Sequence, residues 1–324
     1  MAETFYSQIS ANKRNSFLLT LVIVVLFALL GFSIGYAIGG EVTSAIIVMV
    51  IALVVGGLLS VGSFFSGDSL VLAASSAHEV DAQAAPQLLN VVQELALAAN
   101  VPLPKVYIID DTAPNAFATG RDPQHASVAI TTGLLEKLDR EELQGVFGHE
   151  LSHVRNYDIR FALLVGVLVG SIALLADFFL RFTFWGGGRR SSNREGGSNG
   201  LQAIMFVVAI VLAILAPIAS RLVQLAVNRQ REYLADASSV ALTRNPHGLE
   251  QALAKISADQ EVLEVANRAT QHMYITNPFK KFEERSKGLF STHPATLDRI
   301  NRLRELTGEQ PLDAAEAAPL AGLD

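Results

Sequence analysis

The sequence predicts a mainly α protein. It reads as a polytopic helical membrane protein with a cytosolic α+β part, in which a small antiparallel sheet lies beside a helix with an H-E-x-x-H pattern. Three observations predict this. Four long apolar runs punctuate the chain. Short strand patterns follow an amphipathic helix pattern between the second and third runs. His149-Glu150-Leu151-Ser152-His153 then falls in a helical stretch. Composition agrees: half of the 324 residues are apolar and 17% are charged, against roughly 25% charged in soluble proteins.

The first run, Phe17–Ile38, and the second, Thr43–Phe65, are each nearly unbroken. Each is long enough for a helix to cross about 30 Å of hydrocarbon at about 1.5 Å per residue. The first outlasts the roughly 7–15 apolar residues of a secretory signal, and a second follows at once. Both read as retained spans, about 17–39 and 43–65, turning at Gly39–Val42. Phe161–Leu180 and Leu201–Ala219 are the third and fourth candidates. Asp177 is costly in lipid, so the third span ends near it or faces protein; a buried soluble helix is the alternative for that run.

Four spans put both termini on one side. Lys13, Arg14, Arg155, Arg160, Arg221, Arg229 and Arg231 lie there; Arg181, Arg189, Arg190 and Arg194 lie opposite. The balance places the termini in the cytosol, in a multi-pass protein of the cell membrane. There are no cysteines, which excludes disulfides, thiolate ligands and a cysteine nucleophile. A net charge of −6 without a basic stripe argues against nucleic acid.

Between the second and third spans, "APQLLNVVQELALAAN" has apolar residues at helical spacing. "KVYIID", "NAFATG" and "ASVAIT" are short strand candidates separated by turn residues. Helix returns at Asp139, an N-cap with Glu142 in the capping-box position. Residues 186–200 are a flexible loop by composition. Helical patterns resume over 229–244 and 248–258, and 299–306 ends a last helix. The segments are therefore 1–65, tail and hairpin; 66–160, sheet and H-E-x-x-H helix; 161–219, spans three and four; 220–310, a cytosolic helical part; and 311–324, a disordered tail.

The H-E-x-x-H spacing puts His149 and His153 on one helical face, where both imidazoles reach one metal ion. Glu150 lies about 100° round and can approach a water held there. Leu143, Phe147, Leu151 and Val154 form the buried side. Gly145, Gly148 and Ser152 make a narrow strip that admits another backbone or a substrate. The plain alternative is a surface helix with two unrelated histidines, so a third ligand decides. Asn156 and Ile159 stand where one common zinc pattern needs Gly and His. The other common set is two histidines and a glutamate. Glu232 and Asp236, four apart in "NRQREYLADASS", supply a ligand and a carboxylate for a histidine N–H. The alternative for Glu232 is a solvated helix charge. His149 precedes Phe161 by twelve residues and Glu232 follows Ala219 by thirteen. If both helices run on from the membrane, each group stands roughly 18–20 Å beyond it, at matching height. This arrangement is zincin-like.

"HELSH" followed by "REYLADASS", with "NAFATG" before and "STHP" after, resembles the HtpX family of membrane zinc endopeptidases, relatives of the CAAX prenyl proteases. The likeness runs from the first span to about Leu306. It implies peptide-bond hydrolysis with one zinc ion per subunit, held by His149, His153 and Glu232, with Glu150 as general base and Asp236 behind a ligand. It also implies that His293 and Arg299 lie near the site as catalytic helpers; a turn residue and a solvated helix charge are the alternatives. Resemblance among such peptidases makes Asn115, Ala116, Phe117 and Ala118 the sheet edge that takes substrate as an added strand, with an interior strand as the alternative. It implies peptide and protein substrates, broad specificity and quality control of damaged membrane proteins, with the site facing the cytosol. The rivals are a CAAX-type maturation protease and a non-catalytic metal-binding scaffold. His78, His125, His247 and His272 have no partners at ligand spacing and read as surface or loop histidines.

Overall fold

The computed structural model describes residues 5–166, 229–259, 261, 263–264, 273–276 and 294–313. The expected loop 186–200, the fourth span, most of the third, His272, His293 and the tail beyond 313 lie outside those residues. The chain divides into two compact units. One comprises residues 1–13, 66–163 and 223–324; the other comprises 14–65 and 164–222.

Helix α1 (Phe5–Gly39) and helix α2 (Val42–Ala74) cover the first two apolar runs, with a two-residue bend between them. Both are longer than the runs themselves, because helix-forming sequence flanks each run. Their described side chains leave much apolar surface exposed, including Phe17, Leu29, Ile51 and Leu58. Among the described residues, no helix is long and apolar enough to cross a membrane. Some side chains of both helices lie outside the described set.

The other unit holds the sheet and its helices. Strands are β1 (His78–Glu79), β2 (Lys105–Ile109), β3 (Ala116–Gly120) and β4 (Ala126–Thr131), in the order β1-β2-β4-β3. The sheet is mixed, not antiparallel as expected: β2 and β4 run parallel, and the other pairs antiparallel. The cause lies in the connection after β2. There the Gly133 N–H donates to the Asp111 carbonyl, and the Thr131 N–H to the Asn115 carbonyl. Residues 110–115 thus pass the end of β4, and β3 lands one place further out. A 3-10 turn, capped by the Asp122 carboxylate at Gln124 and His125, returns the chain as β4 into the gap.

Period-two alternation then sorts the side chains. Val106, Ala116, Ala118, Val128 and Ile130 face one way. They pack with Leu88, Val91, Val92 and Leu95 of α3 (Pro86–Ala99) and with Leu143, Phe147, Leu151 and Val154 of α5 (Arg140–Arg155). Ile109, Phe117 and Ala129 face the other way, with Tyr274 and Met273. A short helix α4 (Thr132–Lys137) joins β4 to α5. Helices α6 (Arg229–Thr243), α7 (Pro246–Ala258) and α8 (Thr296–Thr307) complete the unit, with Leu249 and Leu253 packed on Ile300 and Leu303.

The helix carrying His149 does not run on unbroken, contrary to the expected continuity. It stops at Arg155, Asn156 caps it, Tyr157 takes φ 61°, and helix resumes over 158–166. A positive φ on a bulky residue is a genuine break, and the matching-height estimate falls with it.

Candidate metal centre

Helix α5 begins on a reciprocal cap. The Glu142 N–H donates to Asp139 Oδ1 at 2.9 Å, and the Asp139 N–H to Glu142 Oε2 at 2.8 Å. Its apolar stripe, Leu143-Phe147-Leu151-Val154, is wholly buried. The opposite strip admits two neighbours at backbone distance. A Cβ on Gly145 would stand 2.5 Å from the Leu249 nitrogen, and one on Gly148 2.7 Å from Ser239 Oγ. Ser239 in turn donates to the Gly145 carbonyl at 2.6 Å. Glycine is what allows α6 and α7 to close on α5, and that approach brings Glu232 to the histidines.

His149 Nε2 and His153 Nε2 stand 3.1 Å apart. Glu232 lies 3.6 Å from each, with Oε2 toward His149 and Oε1 toward His153. Each ring is held from behind. His149 Nδ1 is 2.8 Å from Asp236 Oδ1, and His153 Nδ1 is 3.0 Å from Asp158 Oδ2. Carboxylates only accept, so both Nδ1 atoms carry the proton. With both rings neutral, the two Nε2 lone pairs and the Glu232 carboxylate would converge as acceptors. Such a trio needs a positive charge among its members.

The spacing fits a metal. A tetrahedral ion with bonds of about 2.0–2.1 Å has ligand–ligand edges of about 3.3–3.4 Å, close to the observed separations. Two imidazoles and a carboxylate suit zinc among divalent ions.

The electrostatics carry the same demand. Burial opposes a charge on His153, yet the Asp158 hydrogen bond and the nearby Glu232, Asp158 and Glu150 carboxylates outweigh it. They push the ring up to about 9. Burial and the Arg299 charge lower His149. Glu150 is buried and raised to about 7 by that burial, with Glu232 adding to the effect and His153 and Arg299 opposing it. Its Oε1 has no hydrogen-bond partner among the described residues. Burial would raise Asp236, but Arg299 and His149 hold it well below the usual carboxylate range.

Arg299 is buried behind the His149, His153 and Glu232 trio, not among the residues lining its open side. It forks onto Asp236, with Nε 2.9 Å from Oδ2 and an Nη 2.7 Å from Oδ1, and donates to the Ile275 carbonyl at 2.9 Å. Asp158, which sequence reading missed, is the counterpart of Asp236 for the second histidine. Five residues separate it from His153, off the face that a continuous helix would share. Only the break at Asn156–Tyr157 brings it round.

Ala116–Ala118 lie on β3, an edge strand, and Asn115 directly precedes it. The Thr131 N–H donates to the Asn115 carbonyl and the Asn115 N–H to Thr131 Oγ1, so alternation turns the backbone groups of Ala116 and Ala118, not their side chains, toward the open edge. The Ala116 carbonyl accepts from the Ile275 N–H at 2.9 Å, and Phe117 pairs with Tyr274 across an antiparallel bridge with their rings edge to face. Ala118, Tyr274, Glu150, His149, His153 and Glu232 line one cleft.

Of the other histidines, His125 pairs with Asp122, and His78 lies in β1. His247, read as lacking partners, contacts Glu250 at 3.0 Å and Glu309 at 3.3 Å, and it stays half-exposed. Arg304 already neutralises both carboxylates.

A carboxylic acid one residue from a histidine, in a cleft with a second histidine and a glutamate that could hold a metal ion, is the pattern of the metal-dependent peptidases. The model for peptidase family M48 matches residues 82–307. A curated "Protease HtpX homolog" from Ligilactobacillus salivarius (strain UCC118) is 44% identical over 301 residues, covering 93% of this chain and 99% of that protein. One from Streptococcus pneumoniae (strain ATCC BAA-255 / R6) is 46% identical over 306 residues, with the same coverage. The chain belongs to peptidase family M48, and it is a metalloprotease that hydrolyses peptide bonds. The crystal structure of S. mikatae Ste24p gives a TM-score of 0.42 at 17% identity, with 81% of this chain and 65% of that chain covered.

Proposed function

We propose that this protein is a membrane-bound zinc endopeptidase that cuts misfolded or damaged membrane proteins, with its catalytic unit in the cytosol. The observation that carries the reading is the convergence of His149, His153 and Glu232 beside a buried base, one of whose oxygens has no hydrogen-bond partner among the described residues. When bound by that trio, one zinc ion per subunit supplies a Lewis acid and lowers the pKa of a water toward about 7.

The protein's own groups handle the proton. Glu150 accepts it from the attacking water at Oε1 and returns it to the leaving amine. A carboxyl raised to about 7 is matched to both tasks near neutral pH. Asp236 and Asp158 hold the two imidazoles in the tautomer that points Nε2 at the ion. Arg299 acts through Asp236 as a positioning residue, and His293 is proposed as a helper on family resemblance. The sequence offers all of Asn115–Ala118 as the substrate edge, but Ile275 already pairs with Ala116 and Tyr274 bridges Phe117. The substrate therefore adds as an extended strand only at the Ala118 end, which lines the cleft with Glu150. Backbone pairing reads little sequence, so specificity is broad.

The membrane reading is supported by the uncharged stretch 43–65 and by the exposed apolar side chains of α1 and α2. Large contiguous apolar surface of that kind needs a lipid or protein cover.

The test is Glu150→Gln in detergent with added zinc. We expect unchanged metal content and a loss of casein cleavage of about 10²–10⁴-fold. Cleavage at the wild-type rate overturns the assigned base. Digestion of unrelated unfolded membrane proteins by the wild type separates this reading from a maturation protease confined to lipidated peptides.

A further inference from the structure

We infer that Asn12, near the start of α1, is a positioning residue of the metal centre, acting on His153 through Asp158. The inference rests on the reading of His153 as a ligand. Asn12 is 1% exposed although its neighbours Lys13 and Arg14 are exposed. Its amide nitrogen donates twice. One bond goes to Asp158 Oδ1 at 2.6 Å and the other to the Asn156 carbonyl at 2.9 Å. The other oxygen of Asp158 is the one that receives His153 Nδ1.

These bonds fall on the break between α5 and the helix that resumes at 158. Asp158 reaches His153 only because the chain turns at Tyr157, whose φ is positive. A bulky residue held at positive φ is strained and persists where its surroundings over-determine it. Asn12 is one such restraint, since it ties the carbonyl before the turn to the carboxylate after it. Lys13 is another: its Nζ lies 4.3 Å from the Tyr157 ring centroid.

The side-chain type fits the task. A primary amide has two N–H donors and no charge. It can satisfy both acceptors at once without drawing the Asp158 charge away from the histidine. Arg231 stands further off, 3.4 Å from the same Asp158 oxygen. The N-terminal segment thus belongs to the support of a ligand 141 residues later in the chain (153 − 12). Loss of outer partners of a metal-ligating histidine typically costs about 10–100-fold in metal affinity. Asn12 stands one bond further out, so its share lies at the low end.

The experiment uses the full chain in detergent. Zinc affinity is measured by competition with a chromophoric chelator, and the visible absorption of the cobalt-substituted protein reports ligand geometry. Asn12→Leu should weaken zinc binding about tenfold and alter the cobalt spectrum, while Asn12→Gln restores part of the affinity. In an Asp158→Ala background Asn12→Leu should add nothing, because the path to His153 is already cut. Unchanged affinity and spectrum in Asn12→Leu overturn the inference, as does an undiminished further loss in the Asp158→Ala background. If Asn12→Leu does not fold, the comparison is made with Asn12→Ser, read by the same two outcomes. His153→Ala is the separate control. If it binds zinc as the wild type does, the ligand reading itself fails; if it loses zinc while Asn12→Leu does not, only the inference fails.

Discussion

Arg299 and Asp236 meet in a two-pronged ion pair at 2.7 and 2.9 Å, with both side chains buried and His149 Nδ1 sharing the oxygen that the 2.7 Å prong meets. A guanidinium fork fits a carboxylate where an ammonium does not. Removing one member of a buried pair leaves the other uncompensated, at a cost of roughly 3–5 kcal/mol. Arg299→Ala should lose that much stability in denaturant unfolding and bind zinc more weakly. Arg299→Ala with Asp236→Ala should cost less than the sum of the two single changes. Additive losses would show that the two side chains do not act as a unit.

Zinc uptake should release protons. In the metal-free fold His153 is raised to about 9, so it is protonated at pH 7.5, and a ligand must give up that proton. Calorimetric titration in buffers of different ionisation enthalpy should detect release of about one proton per zinc. Apparent affinity should climb by up to about tenfold per pH unit toward pH 9. The same shift acts on the metal-free fold. Its folded value lies above the unfolded value of about 6.5, so its stabilising contribution is full below pH 6.5 and is lost as pH rises through 9. No proton release would mean that His153 is neutral before the metal binds.

The two glycines of α5 should differ in their tolerance of alanine. At position 145 the added carbon meets the Leu249 backbone at 2.5 Å; at position 148 it meets the Ser239 hydroxyl at 2.7 Å, and that side chain can turn away. Gly145→Ala should destabilise by about 1–3 kcal/mol, the usual cost of overpacking, and Gly148→Ala by less. Thermal unfolding of both variants with metal removed gives the order, and a reversed order contradicts the packing described.

A reporter inserted within 191–200 should score as non-cytosolic, and one fused at the C-terminus as cytosolic. A cytosolic signal within 191–200 would overturn the proposed span count or the orientation drawn from Lys13, Arg14 and the arginines near the ends of the expected spans.

What the sequence made legible was local. The cap at Asp139, the stripe from Leu143 to Val154 and the pairing of two histidines one turn apart all follow from helix periodicity, and the observed α5 has each of them. Glu232 and Asp236 were legible as a pair for the same reason. The strand order was not, because the place of β4 between β2 and β3 depends on contacts across the end of the sheet at Asn115, Thr131 and Gly133. Asp158 was hidden by a break that no periodic pattern announces. Arg299 has no local mark at all, since its role exists only where α8 meets Asp236.

β3 is an edge strand of its sheet among the described residues, and an uncovered strand edge will pair with any neighbouring chain, which is a common route to aggregation. Ile275 and Tyr274 close that route along Ala116 and Phe117 from within the same molecule. The protein therefore keeps a strand suited to pairing beside a hydrolytic centre while shielding that strand from sticking to its own copies.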